Sequence, residues 1–98
     1  MNQLSIKMGK FRLTNISRIG VECVDVKEGV AVEKEGQHGW GWYVIAFVLF
    51  NESEGVACYK SVGTRLTANV NASEWPIVKE LLECGAKVVE AANKELDD

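Results

Sequence analysis

The chain has 98 residues, a formal net charge of −3 at pH 7, and a composition that is 47% hydrophobic and 26% charged. This length is typical of a single domain, here residues 1–98, and this balance of apolar and charged residues excludes an intrinsically disordered chain. The longest uncharged apolar run, from Trp40 to Phe50, is too short for a membrane-spanning helix, which takes about 20 residues.

The N-terminal third predicts short, interrupted strands. Apolar and polar residues alternate over residues 5–8, as in a short edge strand, and Gly9 interrupts the pattern. A second short strand is expected over residues 11–16. A longer one is expected over residues 19–26, where the alternation resets near Cys23 and indicates a bulge.

A hairpin is predicted next. Residues 27–29 form a tight turn with glycine at its end, which suits the left-handed position of a short hairpin loop. The return strand carries Val30 and Val32 and ends near Glu35. A glycine-rich loop over residues 36–39 then leads into the apolar run.

The apolar run from Trp40 to Phe50 predicts a strand at the middle of the sheet. It is rich in aromatic and β-branched residues, which favour strands. Side chains of a strand point alternately to its two faces, and here both faces are apolar. One face would carry Trp40, Trp42, Val44, Ala46, Val48 and Phe50, and the other Gly41, Tyr43, Ile45, Phe47 and Leu49.

A polar turn over residues 51–55 precedes the last predicted strand. This strand runs from Val56 to Ala68, and Gly63 marks a bend or bulge within it.

The C-terminal segment predicts an amphipathic helix over about residues 73–95. Ser73 is the expected N-cap, and Asn71 with Glu74 three residues later is an alternative capping box. Gly85 lies in the apolar stripe and is expected to allow close approach to the sheet. The stripe consists of Val78, Leu81, Leu82, Gly85, Val88, Val89 and Ala92.

Together these elements predict an α+β fold. About five strands form an antiparallel meander, and the C-terminal helix packs on one face of the sheet. One helix covers only one face of a sheet whose middle strand is apolar on both. The second face therefore needs cover from curling of the sheet, from the N-terminal segment, from a second copy of the chain or from another protein.

The loop and strand start over residues 36–42 form the most unusual stretch. The loop lacks the Gly-Lys-Ser/Thr ending of a phosphate-binding loop and leads into a strand, so nucleotide binding is not indicated. Two interpretations remain: an aromatic recognition loop, or a turn whose tryptophans pack on the helix. The candidate residues for ligand or partner binding are His38, Trp40, Trp42, Tyr43, Phe47 and Trp75.

Catalysis and metal binding are not indicated. His38 is the single histidine, and the three cysteines, at positions 23, 58 and 84, lack the paired spacing of a metal site. We therefore predict no catalytic residues, no metal and no cofactor. The odd number of cysteines and an N-terminus without the apolar core of a signal peptide predict a reduced, cytoplasmic protein.

Single-stranded nucleic-acid binding is one alternative function. Candidate phosphate contacts are Lys7, Lys10, Arg12 and Arg65, and Phe11 and Tyr59 could stack on bases. The last strand and the helix after it resemble the sheet-then-helix end of coactivator-type single-strand binders. That resemblance covers the final third of the chain without a diagnostic motif, and the net acidic charge weighs against the function.

The leading hypothesis is a small, non-enzymatic interaction module. It would self-associate, most simply as a dimer, through the second sheet face, or bind a protein partner there. A further alternative is a small-molecule pocket between sheet and helix, with its mouth at residues 36–42 and lined by Trp40, Trp42, Tyr43 and Trp75.

Overall fold

The computed structural model describes residues 4–16, 26–37 and 41–94. Its elements in chain order are β1 (Ser5–Met8), β2 (Phe11–Asn15), β3 (Gly29–Glu35), β4 (Trp42–Asn51), β5 (Val56–Ser61), α1 (Arg65–Ala68) and α2 (Trp75–Lys94). The strands form one antiparallel sheet whose order, β1-β2-β3-β4-β5, follows the sequence. The predicted α+β meander with a C-terminal helix is thus confirmed.

Helix α2 packs directly on the sheet through Gly85. A Cβ atom at this position would lie 2.9 Å from Val30 Cγ2 and 3.2 Å from both Leu13 Cδ1 and Val48 Cγ2. We call the face that carries these three side chains the helix face. Val78, Leu81 and Val89 of α2 are fully buried with them in the core, so the predicted stripe and the close approach at Gly85 are confirmed.

The start of α2 differs from the expected N-cap. The regular helix begins at Trp75, so the residue directly before it is Glu74 and not Ser73. Glu74 instead accepts a hydrogen bond from the Asn71 amide at 2.9 Å, and the Asn71 carbonyl accepts from the amides of Glu74 and Trp75. The Glu74 contact is the carboxylate half of a capping box, so of the two predicted caps the structure favours Asn71 with Glu74.

A bulge at Ile45 divides β4 into two halves with opposite alternation. Val32 pairs with Ala46 and Glu33 pairs with Val44, which leaves Ile45 as the extra residue on β4. The predicted faces of the apolar run are therefore wrong beyond the bulge: Trp42 and Val44 share a face with Phe47 and Leu49. We call this the second face; it also carries Arg12, Thr14, Ala31 and Glu33.

Strand β5 is shorter than predicted. It ends at Ser61, and the segment expected to continue the strand to Ala68 forms a turn and the short helix α1. Gly63 adopts a left-handed φ of 55°, and the Arg65 amide donates to the Val62 carbonyl at 3.0 Å, which closes the turn. Leu66 of α1 is buried in the core, so this segment gains more from packing than from extending an edge strand.

Strand β4 has neighbours on both sides, but the middle strand of the sheet is β3. Most of the strand predicted over residues 19–26 falls on residues 17–25, between β2 and β3 in the sequence. That strand, with its expected bulge near Cys23, lies outside the described residues, as do His38 and Trp40.

Candidate interaction surface

The predicted aromatic site residues that the structure describes do not form one surface. Trp42 lies on the second face, whereas Tyr43 points to the helix face, where Arg65 lies 6.0 Å from its ring centre. Trp75 begins α2, on the helix side of the sheet. Phe47 is half-buried and lies on the second face, two residues after the bulge at Ile45. Trp42 and Trp75 therefore do not line one pocket, because the sheet separates the two side chains.

Trp42 packs against cations of β1 and β2. The Arg12 guanidinium lies 4.3 Å from the centre of the Trp42 ring, and the Lys7 ammonium lies 5.8 Å from it. Both distances fall within the range of cation–π attraction. Trp42 therefore helps to cover the second face, contrary to the interpretation in which it packs on the helix.

A buried polar network lies beneath Trp42. Arg12 Nη2 donates to Glu33 Oε2 at 3.1 Å, and the Thr14 hydroxyl donates to the other carboxylate oxygen of Glu33. Glu33 is only 5% exposed, so its carboxylate is buried together with these two partners. The burial of Glu33 follows from its pairing with Arg12 on the neighbouring strand. That pairing depends on the register of β2 and β3, which the sequence alone does not define.

The candidate phosphate-binding residues do not all lie on one face, since Lys7 and Arg12 are cross-strand neighbours and Arg65 lies on the other side of the sheet. Lys7 and Arg12 are on the second face, and Arg12 is already paired with Glu33. Arg65 donates to the Val44 carbonyl at 3.1 Å from the helix side. Phe11, one of the two proposed stacking residues, is 1% exposed on the helix face. Arg65 therefore does not share a surface with Lys7 and Arg12.

One cleft lies between the sheet and the segment that leads into α2, and another lies between β5 and α2. The first, of about 870 Å³, borders the start of the glycine-rich loop, as the predicted pocket did, but its lining is polar: Lys10, Lys34, Glu35, Gly36, Gln37, Tyr43, Asn69, Asn71 and Glu74. Within it, Lys34 Nζ donates to the Asn69 carbonyl and lies 3.6 Å from Glu74 Oε1. Lys34 and Glu74 of this cleft are thus already paired with each other.

The other cleft lies beside β5 and is mostly apolar. It encloses about 820 Å³ and is lined by Tyr59, Ala72, Trp75, Pro76, Lys79, Leu82, Glu83 and Ala86. We call it the β5 groove. Among the described residues, the exposed large hydrophobic side chains are Val56, Tyr59 and Trp75, at 43%, 63% and 36% exposure. All three lie on β5 or at the start of α2, so the exposed apolar surface concentrates at this edge of the sheet.

Strand β5 also offers open backbone groups, because it has β4 on one side only. The Ala57 amide does not join the ladder with β4 and donates instead to Glu90 Oε1 of α2 at 2.9 Å. The Val62 amide donates to the Ile45 carbonyl of β4 at 3.0 Å. Because backbone groups of an antiparallel strand alternate in direction, Ala57 and Tyr59 direct their amides and carbonyls away from β4, to the open side.

The described residues carry no other marks of a chemical site. They include no group of three or more His, Cys, Asp or Glu side chains that could hold a metal ion. Cys58 is exposed and Cys84 is half-buried, both as free thiols. No helix among the described residues has the length and apolarity to cross a membrane.

Comparisons with protein-family profiles, with curated proteins and with solved structures find no match to this chain.

Proposed function

We propose that this chain is a non-enzymatic interaction module that self-associates through the edge strand β5 and the β5 groove. The observation that carries the proposal is the concentration of exposed apolar side chains at this edge: Val56, Tyr59 and Trp75. Exposed apolar surface beside an unpaired strand edge is characteristic of protein interaction sites.

The edge is a better candidate than the second face, where self-association was expected from the sequence. On the second face, Thr14, Ala31, Glu33 and Val44 are already buried within one copy of the chain. Phe47 and Leu49 are half-buried, and a cation–π contact occupies Trp42. Trp42, Phe47 and Leu49 on the second face are thus less exposed than Tyr59 and Trp75.

A second copy of the chain is the occupant that fits this edge. A twofold interface brings the same patch of both copies together, so the patch must be complementary to itself. The β5 groove has an apolar floor, and its lining includes one cation, Lys79, and one anion, Glu83. When two such grooves face each other, Lys79 of one copy can pair with Glu83 of the other while the apolar floors are buried. A partner whose charges are all of one sign could pair with only one of these two residues.

Sedimentation velocity at micromolar concentration tests this proposal. Wild type should sediment as a dimer, and Tyr59→Lys should weaken the dimer at least about tenfold, since a lysine on an edge strand opposes pairing. The matched control is Ser5→Lys, which places the same charge on an exposed position of the opposite edge strand, β1. Phe47→Glu distinguishes an interface at the edge from one on the second face. It should weaken the dimer only if the second face forms the interface.

Two results would contradict the proposal. One is a wild-type chain that remains monomeric at all concentrations. The other is a dimer that Phe47→Glu disrupts and Tyr59→Lys leaves intact, since that dimer would use the second face.

Binding of a small apolar molecule in the β5 groove is a second candidate. The groove volume of about 820 Å³ lies within the range of about 300–1,000 Å³ that is typical of ligand pockets, and its lining is mainly apolar. An apolar dye such as anilinonaphthalene sulfonate should then bind the monomeric Tyr59→Lys variant, and Leu82→Glu should abolish the binding. Dye binding that is unaffected by Leu82→Glu would place the dye elsewhere and end this candidate.

A further inference from the structure

We infer that two copies of the chain join their β5 strands antiparallel in one register, with Tyr59 of each copy opposite Tyr59 of the other. The two sheets would then form one continuous sheet with both α2 helices on the same side. This inference rests on the proposed self-association. It adds which residues of the two strands lie opposite each other, and it assigns the Glu90 carboxylate a role in the choice of register.

The direction of the backbone groups limits the choice of register. A pair of residues on a twofold axis exchanges two hydrogen bonds only if both direct their amides and carbonyls outward. On β5 the outward residues are Ala57, Tyr59 and Ser61, since Ala57 donates outward to Glu90 and Val62 donates inward to Ile45. Each of the three is a candidate for a hydrogen-bonded centre. Of the inward residues, Lys60 at the centre would place two ammonium groups directly opposite each other, and Cys58 at the centre would place Ala57, whose amide Glu90 holds, in both pairs next to the axis.

Two of these three centres are unfavourable. A register centred on Ala57 needs the Ala57 amide, which the Glu90 carboxylate holds at 2.9 Å. A register centred on Ser61 would extend the pairing past the end of β5, where the chain turns at Gly63 with a φ of 55°. Tyr59 lies between them with its backbone on the open side of the strand.

The Tyr59 register is compatible with the contacts of Glu90. In this register Ala57 of one copy lies opposite Ser61 of the other, and the Ala57 carbonyl can accept from the Ser61 amide while the Ala57 amide remains bonded to Glu90. Glu90 therefore acts as a positioning residue: in the Ala57 register it removes both hydrogen bonds of the central pair, whereas in the Tyr59 register it leaves the central pair complete and removes one bond from each outer pair.

The side chains around the axis also fit this register. The Tyr59 rings of the two copies meet on the helix face, at the mouths of the two β5 grooves, and aromatic pairs directly opposite each other stabilise antiparallel strands. On the second face, Cys58 of one copy lies opposite Lys60 of the other. These are inward-pointing residues, whose Cα atoms are about 4.5 Å apart when directly opposite in an antiparallel pair.

That distance makes disulfide cross-linking a direct measure of the register. A disulfide requires Cα atoms about 4.4–6.8 Å apart. In the Tyr59 register, Cys58 of one copy and position 60 of the other meet this requirement. Two Cys58 residues are diagonal neighbours at about 7–8 Å and do not meet it without movement of the backbone.

The experiment uses two full-length variants, both with Cys23→Ser and Cys84→Ser. The first retains Cys58, and the second carries Cys58→Ser and Lys60→Cys; both positions are exposed on β5. With diamide as the oxidant that accepts the two thiol hydrogens, the mixture should form the mixed disulfide about tenfold faster than either variant forms its own, because only the mixed pair has disulfide geometry.

The outcomes separate the register from the proposed function. If the first variant cross-links with itself as fast as in the mixture, the inferred register is wrong. If sedimentation shows a dimer that Tyr59→Lys disrupts but the mixture gives no preferential cross-link, self-association through the edge stands and the register is overturned. A wild-type chain that is monomeric by sedimentation overturns both.

Discussion

The Glu90 carboxylate of α2 accepts a hydrogen bond of 2.9 Å from the Ala57 amide on the open edge of β5. A side chain of the helix thus occupies a backbone donor that would otherwise be free to pair with another strand. Natural sheets protect their edges by such devices. Here the protection is local, because Tyr59, two residues further on, is 63% exposed.

Glu90→Ala should allow the two β5 strands to pair in more than one register, and it should lower the stability of the fold only slightly. The Ala57 amide lies at the open edge, where water can replace the carboxylate, so the free energy of unfolding should fall by only about 0.5–1.5 kcal/mol. In the two-variant cross-linking experiment the preference for the mixed disulfide should decrease, because a register centred on Ala57 becomes available. Glu80→Ala, at an exposed position of the same helix, is the control and should leave the preference unchanged.

Gly85→Ala should destabilise the fold although alanine is the better helix former. The helix would gain about 1 kcal/mol in propensity. The new methyl group would lie 2.9 Å from Val30 Cγ2, so the core must shift, and overpacking of this kind costs about 1–3 kcal/mol. Urea denaturation measures the net loss.

A double variant isolates the contact that causes this loss. In a Val30→Ala background the methyl group that crowds Gly85 is absent, so Gly85→Ala should cost less there than in the wild type. An equal cost in both backgrounds would mean that Val30 is not the obstacle.

Arg12→Met should be strongly destabilising because it leaves the Glu33 carboxylate, which is 5% exposed, without its cation. Loss of one partner of a buried ion pair costs about 3–5 kcal/mol, and the partial exposure of Arg12, 19% for its side chain, lowers this to about 2–3 kcal/mol here. The double variant Arg12→Met with Glu33→Met should recover much of the loss, because no charge then remains buried. Thermal and urea denaturation of the wild type, Arg12→Met and the double variant measure these differences. A double variant that is the least stable of the three would contradict the account.

The elements that the sequence predicted well are those with a sustained periodicity. The apolar stripe of α2 and the short alternations of β1 and β2 each identify an element from a local pattern, and a meander follows when turns join consecutive strands. The prediction extended β5 beyond its actual end at Ser61, because Leu66 continues the period-two pattern although it belongs to helix α1. The apolar character of Leu66 reflects burial in the core, which either element can supply.

The candidate surface was harder to predict, since it depends on pairings between distant residues. Ile45 looks like any other member of the apolar run, and only its lack of a partner in β3 makes it a bulge that reverses the faces after it. The sequence also contains no sign that β5 is an edge strand. The exposure of Tyr59 and its proximity to Trp75 follow from that position and from the path of α2.

Amide hydrogen exchange at Tyr59, followed by NMR as a function of protein concentration, tests the central claim most directly. The Tyr59 amide points to the open edge, so it should exchange readily in dilute monomer and become protected as the concentration rises and the edges pair. The amides of β1, at the opposite edge, should show no such dependence. An exchange rate at Tyr59 that is the same at every concentration, or protection that rises with concentration at β1 and not at Tyr59, would contradict self-association through β5.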